Sequence, residues 1–192
     1  FIQGEEVSLP TFGVLTGTRK WNGKKMKVRP DQPIIIEGIH GLNDQLTASI
    51  PKGRKFKIYV SALTNLNLDH HTRISTTDVR MLRRIIRDNQ FRAHNAQATI
   101  NRWPLVRRGE HRHIFPFQED ADVMFNSTLV YELAVLKPLA EELLEEIGPE
   151  NPEYSEARRL LRFLSHFYGV TDYSDIPCNS ILREFIGGSC FV

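Results

Sequence analysis

The sequence predicts an α/β fold: a mainly parallel sheet with flanking helices, followed by a helical C-terminal extension. Short apolar runs rich in β-branched residues, above all Ile34-Ile35-Ile36, read as strands buried on both faces. Segments of helical periodicity alternate with these runs and follow them. The chain has 192 residues, 41% hydrophobic and 25% charged, which suits one packed core of ordinary size.

Residues 4–30 read as an irregular or β-hairpin region with Gly13, Gly17 and Gly23 as turn points. Ile34-Ile35-Ile36, Phe56-Lys57-Ile58-Tyr59-Val60 and Asp122-Val123-Met124-Phe125 are the strand candidates. Ser75-Thr76-Thr77-Asp78 has the form of a capping box and starts a helix that runs to about Asn89. A second helix spans about Leu129 to Ile147, with Gly148 as its stop. Its apolar stripe is Leu129, Leu133, Leu136, Leu139, Ala140, Leu143 and Leu144. Pro138 is expected to kink or split it. A third helix follows Asn151-Pro152 and ends before Gly169. A short helical piece is expected near Ser180–Phe185.

Composition excludes several classes. The net charge of +2 is too small to require a nucleic-acid partner. Cys178 and Cys190 form no disulfide framework and no CxxC pair, so a reduced, cytoplasmic compartment fits. No apolar run reaches the ~20 residues of a membrane span, so no membrane partner is expected. The start Phe1-Ile2-Gln3-Gly4 lacks the features of a signal peptide.

Two features carry chemistry. Glu37 ends an apolar run, where open parallel sheets bind ligands. A carboxylate there can hold magnesium, and Gly38 leaves room for a close approach. The competing reading is a solvated strand end. The second feature is Arg80, Arg83, Arg84 and Arg87, which share an arc of about 100° on one helix. Met81, Leu82, Ile85 and Ile86 take the other side. Guanidinium forks match phosphate oxygens, and Arg92 and His94 extend the cluster. The competing reading is a solvated face with acidic partners such as Asp78 or Asp88.

Other candidates are weaker. His111-Arg112-His113 and His70-His71 lack partners at a zinc-ligand spacing. Ser189-Cys190 has no base placed by a motif. Trp103, Phe115 and Phe117 beside basic residues could bind RNA by stacking and charge, but no RNA-recognition signature is present.

Four pieces in order resemble the uridine kinase/phosphoribulokinase family of P-loop kinases. They are Leu9-Pro10-Thr11-Phe12, Ile34-Ile35-Ile36-Glu37-Gly38-Ile39-His40, Arg83-Arg84-Ile85-Ile86-Arg87-Asp88 and Ala121-Asp122-Val123. The segment Arg102–Leu144 and the ending Asn179–Gly188 resemble a bacterial subgroup. In that subgroup the kinase follows a region similar to the N-terminal part of threonyl-tRNA synthetase. The resemblance implies a partial P-loop kinase domain over residues 1–147, a lid at about 80–118, and an extension over 148–192. It implies ATP and Mg2+ as cofactors, and a nucleoside or sugar acceptor as the small-molecule partner. It assigns Glu37 to the metal, and Glu37 with Arg87 to catalysis. Arg83, Arg84, Arg87 and Arg92 become phosphate-binding lid residues. Phe12, Arg19, Arg84 and His94 become acceptor contacts. A homo-oligomer is left open.

The departures are informative. Phe12 stands where uridine kinases resemble one another in an aromatic hydroxyl, and Gly17 where they carry a histidine. Glu37-Gly38-Ile39-His40-Gly41 is closer in wording to phosphoribulokinases, and Arg102 stands where uridine kinases tend to carry a glutamine. No GxxxxGK[ST] loop occurs in the 192 residues. The segment bearing the family's general base would precede Phe1. The chain alone is therefore expected not to catalyse phosphoryl transfer. The alternatives are a phosphoribulokinase-like sugar-phosphate kinase and a non-catalytic nucleotide- or RNA-binding module.

Overall fold

The computed structural model describes residues 4–13, 16–29 and 31–191. The chain start, Phe1-Ile2-Gln3, lies outside the described residues. Strands β1 (Val7–Gly13) and β2 (Thr18–Met26) form the expected hairpin. They are antiparallel, with Phe12 opposite Arg19 and Pro10 opposite Trp21. Pro10 has no N–H to give a ladder, and the register shifts between Ser8 and Pro10. Gly17 turns the chain at φ +63°, a left-handed conformation that strains any residue with a Cβ.

A second sheet pairs β3 (Ile58–Ser61) with β4 (Val123–Asn126) in parallel, Ile58 opposite Val123. Side chains close both ends of this short ladder. The Lys57 N–H donates to Asp122 Oδ2 at 2.7 Å. Beyond β3, Asn126 Oδ1 accepts from the Leu63 N–H and its Nδ2 donates to the Leu63 carbonyl, both at 2.9 Å. The long crossover that parallel strands require is helical here.

The expected mainly parallel sheet is not what the described residues form: they hold one antiparallel and one parallel pair. Ile34-Ile35-Ile36 belongs to no strand, and Ile35 is 89% exposed. An apolar run shows a tendency to be buried. It becomes a strand only when other backbones satisfy its N–H and C=O groups, and no described segment does so here.

The core is helical. Helix α1 (Thr76–Arg92) buries Val79, Leu82, Ile85 and Ile86. Ser75 caps its start, Oγ accepting from the Asp78 N–H at 3.3 Å. The reciprocal half of a capping box is missing, because the Asp78 carboxylate accepts instead from Arg159 at 2.8 and 2.9 Å. Ser75→Ala is expected to lower stability by about 1 kcal/mol. Equilibrium denaturation measures it, and no change would show that the Arg159 contact holds the helix start by itself.

Ala93 ends α1 at φ 53°, and α2 (Ala96–His113) follows with Asn95 as its cap. Helix α2 was not expected from the sequence. It contains Pro104, and its buried set mixes Ala96, Ile100 and Trp103 with the polar Thr99 and Glu110. That mixture blurs the apolar stripe that announces a helix.

Helix α3 (Glu132–Glu145) buries Leu133, Val135, Leu136, Ala140 and Leu144, and it runs unbroken through Pro138. Proline has no N–H for the carbonyl four residues earlier. That carbonyl, on Ala134, accepts from the Val170 N–H at 2.9 Å instead. Gly169 makes the approach possible. A Cβ there would come within 3.2 Å of the Pro138 ring. The chain beyond α4 (Tyr154–Leu164) thus repairs the defect that proline leaves in α3. Lys137 adds a bond from its Nζ to the Leu164 carbonyl at the end of α4, at 3.0 Å.

Helix α4 begins after a turn at Asn151-Pro152 rather than on Asn151 itself, and Glu153 holds the cap position. It buries Ala157, Leu160 and Leu164. The last helix, α5 (Arg183–Ile186), overlaps the expected C-terminal piece and packs Phe185 into the same core. The hairpin and the small parallel sheet sit outside this core. Ile58, Val60, Val123 and Phe125 are all exposed.

Candidate functional site

Helix α1 presents the arginines as the periodicity implies, and each has a carboxylate beside it. Arg80 Nη2 lies 2.5 Å from Glu110 of α2, which Arg107 also reaches at 2.7 Å. Arg83 grips Glu132 of α3 with two parallel bonds, Nε to Oε1 at 2.8 Å and Nη2 to Oε2 at 2.6 Å. Its Nη2 also donates to the Ser127 carbonyl at 2.9 Å, and its guanidinium lies over the Phe185 ring at 5.8 Å. Arg84 and Arg92 share the buried Asp88, at 3.1 and 2.9 Å. Arg87 Nη1 donates to Glu184 of α5 at 3.1 Å.

These arginines are not equivalent. The Arg83 and Glu132 side chains are only 12% and 2% exposed, so that pair is part of the core. Arg84, Arg87 and Arg92 keep about a third of their side chains open to solvent, between 29% and 33%. Burial pulls the Arg84 guanidinium below its ordinary range. Asp88 opposes this, and the neighbouring Arg92 and Arg87 charges add to it. Two buried polar atoms on this face have no partner among the described residues: Arg87 Nε and His94 Nδ1. The other ring nitrogen of His94 contacts Arg102. An unpaired buried N–H is costly and marks a place where a further acceptor fits.

The hairpin brings Phe12 and Arg19 directly opposite each other, both exposed, so their side chains share one face. Trp21, two residues on, joins that face with the Arg19 guanidinium 5.7 Å from its ring centre. Sequence reasoning missed Trp21, although the two-residue spacing from Arg19 was a usable signal.

Glu37 stands elsewhere, on an exposed irregular segment. No ion pair or hydrogen bond among the described residues links it to the arginine helix. His40, three residues on, packs edge-to-face on His113 at the end of α2, ring centres 4.6 Å apart. Burial lowers the His113 pKa, and the His40 and Arg112 charges push it the same way. Among the described residues no group of three His, Cys, Asp or Glu side chains could hold a metal ion. The donor set at Glu37 is thus one hard carboxylate. Magnesium takes one or two protein carboxylates and completes its shell with water and phosphate oxygens, so Glu37 could supply at most one of its ligands.

A cavity of about 240 Å³ lies elsewhere, lined by Asp44, Lys52, Lys55, Lys57, Asp120 and Asp122. Hydrogen bonds from Lys55 and Lys57, each 2.9 Å away, pull the Asp44 carboxyl down to about 2, against a smaller opposing effect of burial. No expected site residue lines it. Trp103 is buried at 7% exposure, so its ring is committed to the core rather than offered for stacking.

The described chain is a mixed α/β protein with a paired helix hairpin, rich in arginine, spanning the gap between two parallel strands. Residues 1–134 match the model of the Phosphoribulokinase / Uridine kinase family. The chain belongs to that family. The uridine kinase of Staphylococcus haemolyticus (strain JCSC1435) is 27% identical over 122 residues, which are 63% of this chain and 50% of the relative. The uridine kinase of Macrococcus caseolyticus (strain JCSC5402) is 29% identical over the same length and shares. That of Staphylococcus aureus (strain JH9) is 28% identical. The chain spans about half the length of the curated relatives it matches. No solved structure matches it significantly. No described helix is long and apolar enough to cross a membrane.

Proposed function

We propose that this chain is the lid-bearing part of an ATP-dependent, cytoplasmic kinase that moves the γ-phosphoryl group to a hydroxyl of a nucleoside-like acceptor. Family membership and the uridine kinase activity named for the relatives support the class. The observation that carries the site is Arg87: half-buried, with its Nη1 on Glu184 and its Nε without a partner. A phosphate oxygen would satisfy that N–H and could compete with Glu184 for the guanidinium.

In this reading Arg84, Arg87 and Arg92 close over the phosphates and stabilise charge spread over the transferring group. Arg83 acts on the same face but through the fold, because its fork is taken by Glu132. His94 offers its open ring nitrogen to the acceptor. Phe12 and Arg19 meet the acceptor from the hairpin. Glu37 would hold magnesium, which when bound neutralises phosphate charge. The phosphate-binding loop and general base belong to the remainder of the full protein, together with further parallel strands that cover Ile34-Ile35-Ile36 and the open β3–β4 pair. The chain alone is then inactive. Residues 1–147 are the kinase part and 148–192 an extension built onto it. A region similar to the N-terminal part of threonyl-tRNA synthetase stands upstream.

The test is made on the full-length protein. Glu37→Gln is expected to lower kcat by at least about tenfold, the scale of one lost transition-state contact. Unchanged turnover would remove the metal role. Arg87→Ala is expected to lower kcat/KM for ATP by roughly 10- to 100-fold. A loss confined to thermal stability would reduce Arg87 to an anchor for α5.

A further inference from the structure

The two cysteines are twelve positions apart in the sequence and meet in the structure. The Cys190 N–H donates to the Cys178 carbonyl at 3.0 Å. A direct backbone bond holds the two residues at a spacing close to that of paired strands, where Cα atoms lie about 4.5–5.5 Å apart, and a disulfide needs about 4.4–6.8 Å. Both cysteines are free and exposed, so a soluble oxidant can reach them. The neighbouring Cys178 thiol holds the Cys190 thiol above its ordinary pKa, in keeping with that backbone contact.

The loop they bracket is already shaped for closure. Within it Leu182 and Phe185 are buried, and Gln90 of α1 donates to the Phe185 carbonyl at 2.6 Å. Arg183 reaches back to the Tyr173 carbonyl at 2.9 Å and to the Ile176 carbonyl, just ahead of Cys178. Gly187 and Gly188, at φ +82° and +73°, bend the chain so that it returns.

We propose that Cys178 and Cys190 form a reversible disulfide that closes residues 178–190 into a covalent loop carrying α5. The oxidant is a low-molecular-weight disulfide of the glutathione class. One protein thiolate attacks it, giving a mixed disulfide and releasing one glutathione thiolate. The second protein thiolate attacks the protein sulfur of that mixed disulfide, forms the Cys178–Cys190 bond and expels the second glutathione thiolate. Two protein thiols are oxidised, one external disulfide is reduced, and the two protons end on the released glutathiones. The bond shortens the loop's unfolded ensemble, so detaching α5 from α1 yields less chain entropy.

The experiment incubates the whole chain with oxidised glutathione, then counts thiols and maps tryptic peptides without reduction. Trypsin cuts after Arg162 and Arg183, which puts the cysteines on separate peptides, 163–183 and 184–192. The expected result is loss of both thiols, a linked pair of these peptides from monomeric protein, and full reversal by dithiothreitol. The thermal midpoint is expected to rise by roughly 5–10 °C on oxidation. Cys178→Ser should remove that rise and leave a stable glutathione adduct on Cys190. Two persistent glutathione adducts per chain, cross-links between chains, or thiols that stay free would each overturn the proposal.

Discussion

Glu132→Ala is expected to lower the unfolding free energy by about 3–5 kcal/mol, the cost of stranding one partner of a buried ion pair. Glu132 is 2% exposed at its side chain and receives both forks of Arg83, and its Oε2 also accepts from the Leu129 N–H at 2.9 Å. Removing the carboxylate leaves a guanidinium that is 12% exposed with the Ser127 oxygens as its remaining polar contacts. The same carboxylate sits in the first turn of α3, where a negative charge favours the helix N-terminus. Urea denaturation measures the loss. The double variant Arg83→Met with Glu132→Leu should recover most of it, because an apolar pair of similar volume carries no unpaired charge. A loss below about 1 kcal/mol would put the pair in the class of surface ion pairs and contradict its burial.

Leu136→Ala is expected to cost about 2–5 kcal/mol, the range for deleting a large aliphatic side chain from a closed core. Leu136 is fully buried on α3, the helix that packs on both α1 and α4. A cavity at this point loosens the helical core from its middle, so neither neighbour can close it alone. The denaturant midpoint should fall with the slope unchanged, as for a loss of stability without a change in the unfolded state. A loss near that of an exposed leucine would mean that α3 slides to fill the space.

Much of this fold was legible in the residues. The stripe of α3 and the cap at Ser75 are local patterns, and so is Gly17 at the hairpin turn, whereas Gly23, also expected as a turn point, falls inside β2. They gave elements in the right places. What escaped was non-local. Helix α2 buries Thr99 and Glu110, which only pay their way beside Asp88 and Arg80, residues of another helix. Ile34-Ile35-Ile36 advertised a strand, but pairing depends on backbones that periodicity does not reveal.

The site shows the same division. The arginine arc on α1 followed from 100° per residue. Its acids did not, because Glu110, Glu132 and Glu184 lie on three other helices. Glu132 stands 49 positions from Arg83, and Glu184 stands 97 from Arg87. Only Asp88, one turn from Arg84, could be read locally. The opposition of Phe12 and Arg19 came from hairpin register, which a single slip would have reversed.

The bond from Val170 to Ala134 makes one amide a reporter. Val170 lies in irregular chain, where amide protons normally exchange with solvent freely. Here its proton is held by the carbonyl that Pro138 left vacant inside α3. It can exchange only when the tail lifts off that helix or the helix itself opens. Its protection factor therefore reads the docking of the chain's last quarter onto the helical core, from a single resonance.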